Sequence, residues 1–137
     1  MDATKQYFET AVTTQQRGKL IVMLYDGAIQ FLRVAKQKLS EGDFALKGVY
    51  IGKAQDIVSE LNGSLDMEAA PEIAGNLRAL YNFLYRHLNA ANIERDGQKV
   101  EDCIGILNQL RAAWQDVASR PEAASMGEAA ESQGFSA

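Results

Sequence analysis

The chain has 137 residues, 47% apolar and 23% charged, the size and composition of one globular domain that can bury a core without disulfides or metals. Its 14 Lys+Arg against 18 Asp+Glu leave a formal charge of −4, which argues against phosphate-backbone binding and sets nucleic acid aside as a partner, since that binding needs a concentrated basic patch. One cysteine, Cys103, closes no internal disulfide and reads as a small buried hydrophobe.

Residues 1 to 19 carry Asp2, Lys5, Glu9, Arg17 and Lys19 in place of the apolar segment of a secretory leader. No apolar stretch approaches the ~20 residues that cross a bilayer. A cytoplasmic protein without stable membrane insertion is expected.

Apolar residues at Leu20, Leu24, Ala28, Phe31, Leu32, Ala35 and Leu39 recur at helical spacing up to a stop at Ser40-Glu41-Gly42-Asp43. Asp43 suits the N-cap of a second run through Leu46, Tyr50, Ala54, Ile57, Val58, Leu61 and Leu65. Pro71 falls in the first turn of a third, with Ile73, Leu77, Leu80, Tyr81, Leu84 and Leu88. Glu94-Arg95-Asp96-Gly97 breaks the pattern before a fourth, with Val100, Cys103, Ile104, Leu107, Leu110, Trp114 and Val117. Short connectors between helices of similar length predict an all-α, antiparallel, up-down-up-down four-helix bundle. The expected organisation is an N-terminal segment over 1–15, the bundle over 16–118, and a disordered tail over 119–137 that is poor in large apolar residues.

Gly27, Gly52, Gly75 and Gly105 fall inside the proposed helices, where each costs on the order of 1 kcal/mol relative to alanine. Close helix approach or room for a partner would offset that cost.

Catalytic chemistry has little to work with. His87 is the sole histidine and Cys103 the sole thiol, so a helical di-iron site, which needs two Glu-x-x-His pairs, is excluded. No phosphate loop, dinucleotide fingerprint or nucleophile elbow is present. No catalytic residue, metal site or cofactor is assigned. Arg33, Arg78, Arg86 and Arg111 are raw material for an arginine-lined cavity gripping a carboxylate substrate, or are solvated surface charges.

The apolar residues exceed what one bundle core requires. Leu20-Ile21-Val22-Met23-Leu24-Tyr25 point all around the first helix, and Leu80, Tyr81, Phe83, Leu84 and Tyr85 repeat the excess on the third. These side chains are covered by Tyr7, Phe8 and Val12 of the N-terminal segment, form a groove for an amphipathic partner helix, or do both in different states.

Several runs carry a family resemblance: Lys19 to Ala28 with Phe31-Leu32, Lys53 to Ile57 with Glu60-Leu61-Asn62 and Ser64-Leu65-Asp66, Asn76 to Tyr81, and Leu110 to Trp114. Together with Tyr7 and Val12-Thr13-Thr14 they resemble, in one register, the flagellar secretion chaperones of the FliS family. Gln15-Gln16-Arg17 departs from the Ala-Ser-Pro that commonly enters the family's first helix, leaving Thr13 or Thr14 as the cap.

The resemblance implies a small helical bundle, not an enzyme, that binds the C-terminal segment of flagellin in the cytoplasm. It would prevent premature polymerisation and deliver flagellin to the flagellar type III export apparatus. Flagellin's terminal regions are disordered in the monomer and helical in the filament, so an apolar groove could trap this segment as helix. Under this reading Leu24, Ala28, Leu61, Leu77, Leu80 and Trp114 belong to the core. Tyr7, Ile21, Tyr25, Ile57, Leu65, Tyr81 and Leu84 are the partner-binding candidates. Tyr25 and Tyr81 suit a groove because a phenol combines apolar area with a polar tip; the edge of an ordinary core suits them as well. Asp26 and Asp56 are read as register-holding acids. A homodimer through the same apolar surface is a further expectation, and a self-associating structural bundle is the remaining alternative.

Overall fold

The computed structural model describes the backbone of residues 14–119 and the side chains of 18–116. Four helices account for most of it: α1 (Thr14–Ser40), α2 (Phe44–Gly63), α3 (Pro71–Glu94) and α4 (Gly97–Ser119). The predicted helices thus form in the predicted order, with no strand among the described residues.

Local chemistry sets the boundaries. In the α1–α2 turn Gly42 takes φ +78, a left-handed conformation that glycine adopts without steric cost. Asp43 then caps α2, the Leu46 N–H donating to Asp43 Oδ1 at 3.1 Å. Pro71 opens α3 after Ala70, whose side chain supplies no cap bond. At the far end of α3, Arg95 adopts φ 56 and its N–H donates to the Ala91 carbonyl, closing the helix where glycine is usual. Asp96 starts α4, accepting at Oδ1 from the N–H groups of Gln98 (2.9 Å) and Lys99 (3.3 Å).

Cross-helix pairs fix the antiparallel arrangement. Lys36 meets Glu101 and Asp26 meets Arg111, so α1 and α4 run oppositely. On the α2/α3 seam Lys47 bonds Asn92, Gln55 bonds Asn89, and Asn62 bonds Asn82. Phe31 of α1 packs against Tyr50 of α2, and His87 of α3 reaches Asp102 of α4. Each helix packs on two neighbours, and backbones do not approach across either diagonal.

The core fills the centre with Tyr25, Ala28, Leu32, Ile51, Ala54, Val58, Leu61, Tyr81, Leu84, Leu88, Val100, Cys103 and Leu107. Cys103 is buried, and burial, with Asp102 nearby, pushes its thiol up to about 12, so it is an inert core side chain. The Tyr25 and Tyr81 hydroxyls meet across the α1/α3 diagonal at 2.5 Å. Burial drives both phenols upward, Tyr25 to about 12 despite its bonds with Tyr81 and Trp114. This buried chain links α3, α1 and α4 and satisfies each phenol inside apolar surroundings.

The glycines divide. A Cβ on Gly27 would meet Ile57 Cδ1 at 3.2 Å, so its absence lets the two helices close. At Gly52, Gly75 and Gly105 a Cβ would meet nothing within 4 Å, and close helix approach is not their reason.

Candidate docking surface

Antiparallel packing gathers the start of α1, the end of α2, the start of α3 and the end of α4 at one end of the bundle. Seven side chains there pack on the core while staying half-buried: Ile21, Leu24, Ile57, Met67, Leu77, Leu110 and Trp114. Beside them Met23 is 65% exposed, and Leu20 and Ile73 are exposed too. Phe31, Tyr50 and Ile106 are likewise half-buried on the core, in the other half of the bundle, and Phe44, Leu46, Val49 and Ile93 are exposed toward the far end. This end is therefore rimmed by apolar side chains with one flank against the core and one open. Such a rim suits an amphipathic helix laying its apolar face across it. Beneath the rim lies the buried Tyr25–Tyr81 pair, which Trp114 of the rim contacts through Tyr25.

The sequence-derived candidates distribute unevenly. Ile21 and Ile57 stand in the rim. Tyr25, Tyr81 and Leu84 are fully buried, and Leu65 is nearly so. Tyr7 lies outside the described residues, as do Phe8 and Val12. Among the residues assigned to the core, Ala28 and Leu61 are buried, whereas Leu24, Leu77, Leu80 and Trp114 are half-exposed. The physical reason is the phenol pair: each hydroxyl supplies the other's partner, so neither tyrosine has to reach the surface. With α3 rotated to bring Tyr81 and Leu84 inward, Leu77 and Leu80 turn toward the edge. Leu20 and Met23 belong to the apolar run read from the sequence as candidate groove surface, whereas the rim contribution of Met67 and Ile73 was not singled out. The signal for those two was the apolar residues flanking Pro71.

The polar residues are engaged structurally. Asp26 pairs with Arg111. Arg78 donates from Nε to Asn62 Oδ1 at 3.1 Å and from a terminal nitrogen to the Asn62 carbonyl at 3.3 Å. Arg33 and Arg86 are exposed on different helices, so the four arginines do not converge on one cavity. His87 stacks on Phe83 with ring centroids 4.9 Å apart and bonds Asp102 through Nε2 at 3.1 Å. Among the described residues no group of three or more His, Cys, Asp or Glu could hold a metal ion, and no helix is long and apolar enough to cross a membrane.

Comparison with known proteins agrees with this architecture. The family model described as "Flagellar protein FliS" matches residues 1–121. The chain is 37% identical over 113 residues to the flagellar secretion chaperone FliS of Salmonella typhimurium, covering 82% of this chain and 84% of the relative. It is 36% identical over 99 residues to the chaperone of the same name from Vibrio cholerae, covering 72% and 73%. With that of Bacillus subtilis it shares 34% identity over 109 residues, 80% of each chain. A family match spanning most of the chain, joined to a four-helix bundle with an open apolar rim, places this protein in the FliS family of flagellar proteins.

Proposed function

We propose that the chain is a flagellar secretion chaperone whose apolar rim holds the C-terminal segment of flagellin. It keeps that segment from polymerising prematurely and hands it to the flagellar type III export apparatus in the cytoplasm. One observation carries the reading: seven half-buried apolar side chains pack against the core along one half of the bundle, in a chain whose relatives are named flagellar secretion chaperones. A segment that is disordered when free and helical when packed would find there the apolar contacts that neighbouring subunits otherwise supply.

Ile21 and Ile57 touch the client in this reading, and Tyr25, Leu65, Tyr81 and Leu84 form the floor that holds the rim in shape. In this reading the residues before α1, with Tyr7, Phe8 and Val12, would cover the rim in the free protein and leave it when the client arrives, which would lower apparent affinity by the fraction covered. Without a client, the same rim is where a second copy would pair.

Calorimetric titration with a synthetic flagellin C-terminal peptide tests the proposal. Saturable binding with a negative heat-capacity change is expected, as apolar burial requires. Absence of binding, or undiminished binding by Ile57→Asp protein with an unchanged melt, overturns it.

A further inference from the structure

At the opposite end of the bundle, two cations share one aromatic ring. Arg95 Cζ sits over the Phe44 ring at 3.8 Å from its centroid, and Lys47 Nζ lies 6.0 Å from the same centroid. Neither side chain swings freely. Lys47 is buried as a whole and donates to the Asn92 carbonyl at 2.9 Å and to Asn92 Oδ1 at 2.5 Å. Arg95 leaves α3 in its left-handed conformation and lies flat enough on Phe44 to reach van der Waals distance.

What these cations lack is a counter-charge. Among the described residues Lys36, Lys38, Lys99 and Arg111 each stand within ion-pair distance of a carboxylate, while Lys47 and Arg95 do not. Lys19, Arg33 and Arg86 are exposed, Lys53 lies singly over the Phe31 ring, and Arg78 is held by Asn62; among the described residues only at this corner do two cations share one ring. Burial first, then the Arg95 charge, lowers the Lys47 ammonium from its ordinary value, as expected for positive charge without a partner. Asn92 takes two of the three ammonium donors, and stacking leaves the edge of the Arg95 guanidinium available as a planar fork. Ile93, 82% exposed on the last turn of α3, offers apolar surface near this corner.

We infer that Phe44, Lys47 and Arg95 form a docking site for an acidic polypeptide segment, with an Asp or Glu side chain in the Arg95 fork and an adjacent apolar side chain against Phe44 and Ile93. Charge complementarity selects the occupant. A chain of net charge −4 repels acidic partners at long range, so the attraction acts at contact and weakens with salt. Helix α2, at 20 residues, puts ~30 Å between the two ends. An acidic partner here and an apolar client at the rim can therefore be bound together.

The test uses the full chain and the blocked tripeptide Ac-Leu-Glu-Leu-NH2, followed by NMR at the Arg95 Nε–H and the amides of Phe44 and Ile93. Saturable shifts at these signals are expected, with at least about fivefold weaker binding for the Gln analogue and for Arg95→Gln protein, and a loss between low and high salt. Arg95 stands outside the core, and an unchanged melt of Arg95→Gln certifies its fold. Equal affinity for the Glu and Gln peptides, or unaltered binding by Arg95→Gln, overturns the site. A peptide whose one carboxylate is its C-terminus, Ac-Leu-Gln-Leu-OH, is expected to bind no better than the blocked Gln analogue; tighter binding than Ac-Leu-Glu-Leu-NH2 overturns the side-chain assignment.

Discussion

The two ends of this bundle are finished by different chemistry. Where α1 turns into α2 and α3 into α4, Asp43 and Asp96 cap helix starts, Ser40 Oγ donates to the Gln37 carbonyl, and Arg95 closes α3. At the other end Ser64 Oγ donates to the Leu61 carbonyl and Asp66 Oδ1 accepts from the Glu68 and Ala69 N–H groups, but α3 begins without a side-chain cap, and apolar side chains lie half against the core and half open. A cap satisfies backbone N–H groups locally and presents polar atoms to water, although Phe44, Leu46, Val49 and Ile93 leave apolar area exposed toward that end as well. The rim end leaves apolar area exposed, and a partner that covers it gains the free energy of its removal from water.

The largest expected contrast comes from placing one acid at each kind of position. Leu88→Asp puts an unpaired carboxylate in a fully buried site and should abolish cooperative unfolding, because its cost of several kcal/mol is a large share of a domain's ~5–15 kcal/mol. Met23→Asp, 65% exposed on the rim, should melt within a few degrees of the parent yet bind the flagellin peptide more weakly. A melt in which both variants unfold alike would make the rim an ordinary part of the core.

A smaller and mirrored pair sharpens the comparison through the caps. Asp96→Ala removes the acceptor for the Gln98 and Lys99 N–H groups and should cost about 1 kcal/mol. Ala70→Asp supplies the missing cap of α3 and should gain up to a similar amount. At this size each kcal/mol moves the thermal midpoint by about 3–4 °C. Scanning calorimetry of the two variants should show shifts of opposite sign.

The smallest effect is a pH slope. The Asp102 carboxyl is held below its ordinary range, first by the hydrogen bond from Gln98 and then by that with His87. Between the ordinary carboxylate value and this lower one, the unfolded chain binds a proton that the folded chain does not. The stabilisation is therefore present at neutral pH and lost as the pH falls through that window. Tm should fall more steeply on acidification for the parent than for Asp102→Asn, and parallel curves would dissociate the interaction from stability.

Helix order and boundaries were legible because their determinants are local: Asp43 caps three residues ahead, and Pro71 starts a helix where its missing N–H costs nothing. Helix orientation was less so. Neighbouring positions differ by about 100° around the axis, so a pattern containing both Leu80 and Tyr81, or both Leu24 and Tyr25, has two plausible inward faces. The deciding contact joins residues 56 apart in the chain, and local pattern carries no trace of it. The α2/α3 polar ladder left a fainter mark: Lys47, Gln55 and Asn62 recur at intervals of about two turns along α2 and face Asn92, Asn89 and Asn82. Their partners on α3 are spaced differently, three and then seven residues apart, so the pairing was readable only with both helices placed side by side.

Trp114 is the chain's one tryptophan, half-buried in the rim and bonded to Tyr25. The molecule thus carries its own optical probe at the place where a client would sit. Emission from this indole reads local water directly: a covering helix would shift it to shorter wavelength and shield it from iodide, with no dye attached. The tyrosines of the core lie close enough to pass excitation to it, so light absorbed across the bundle is reported from a single end.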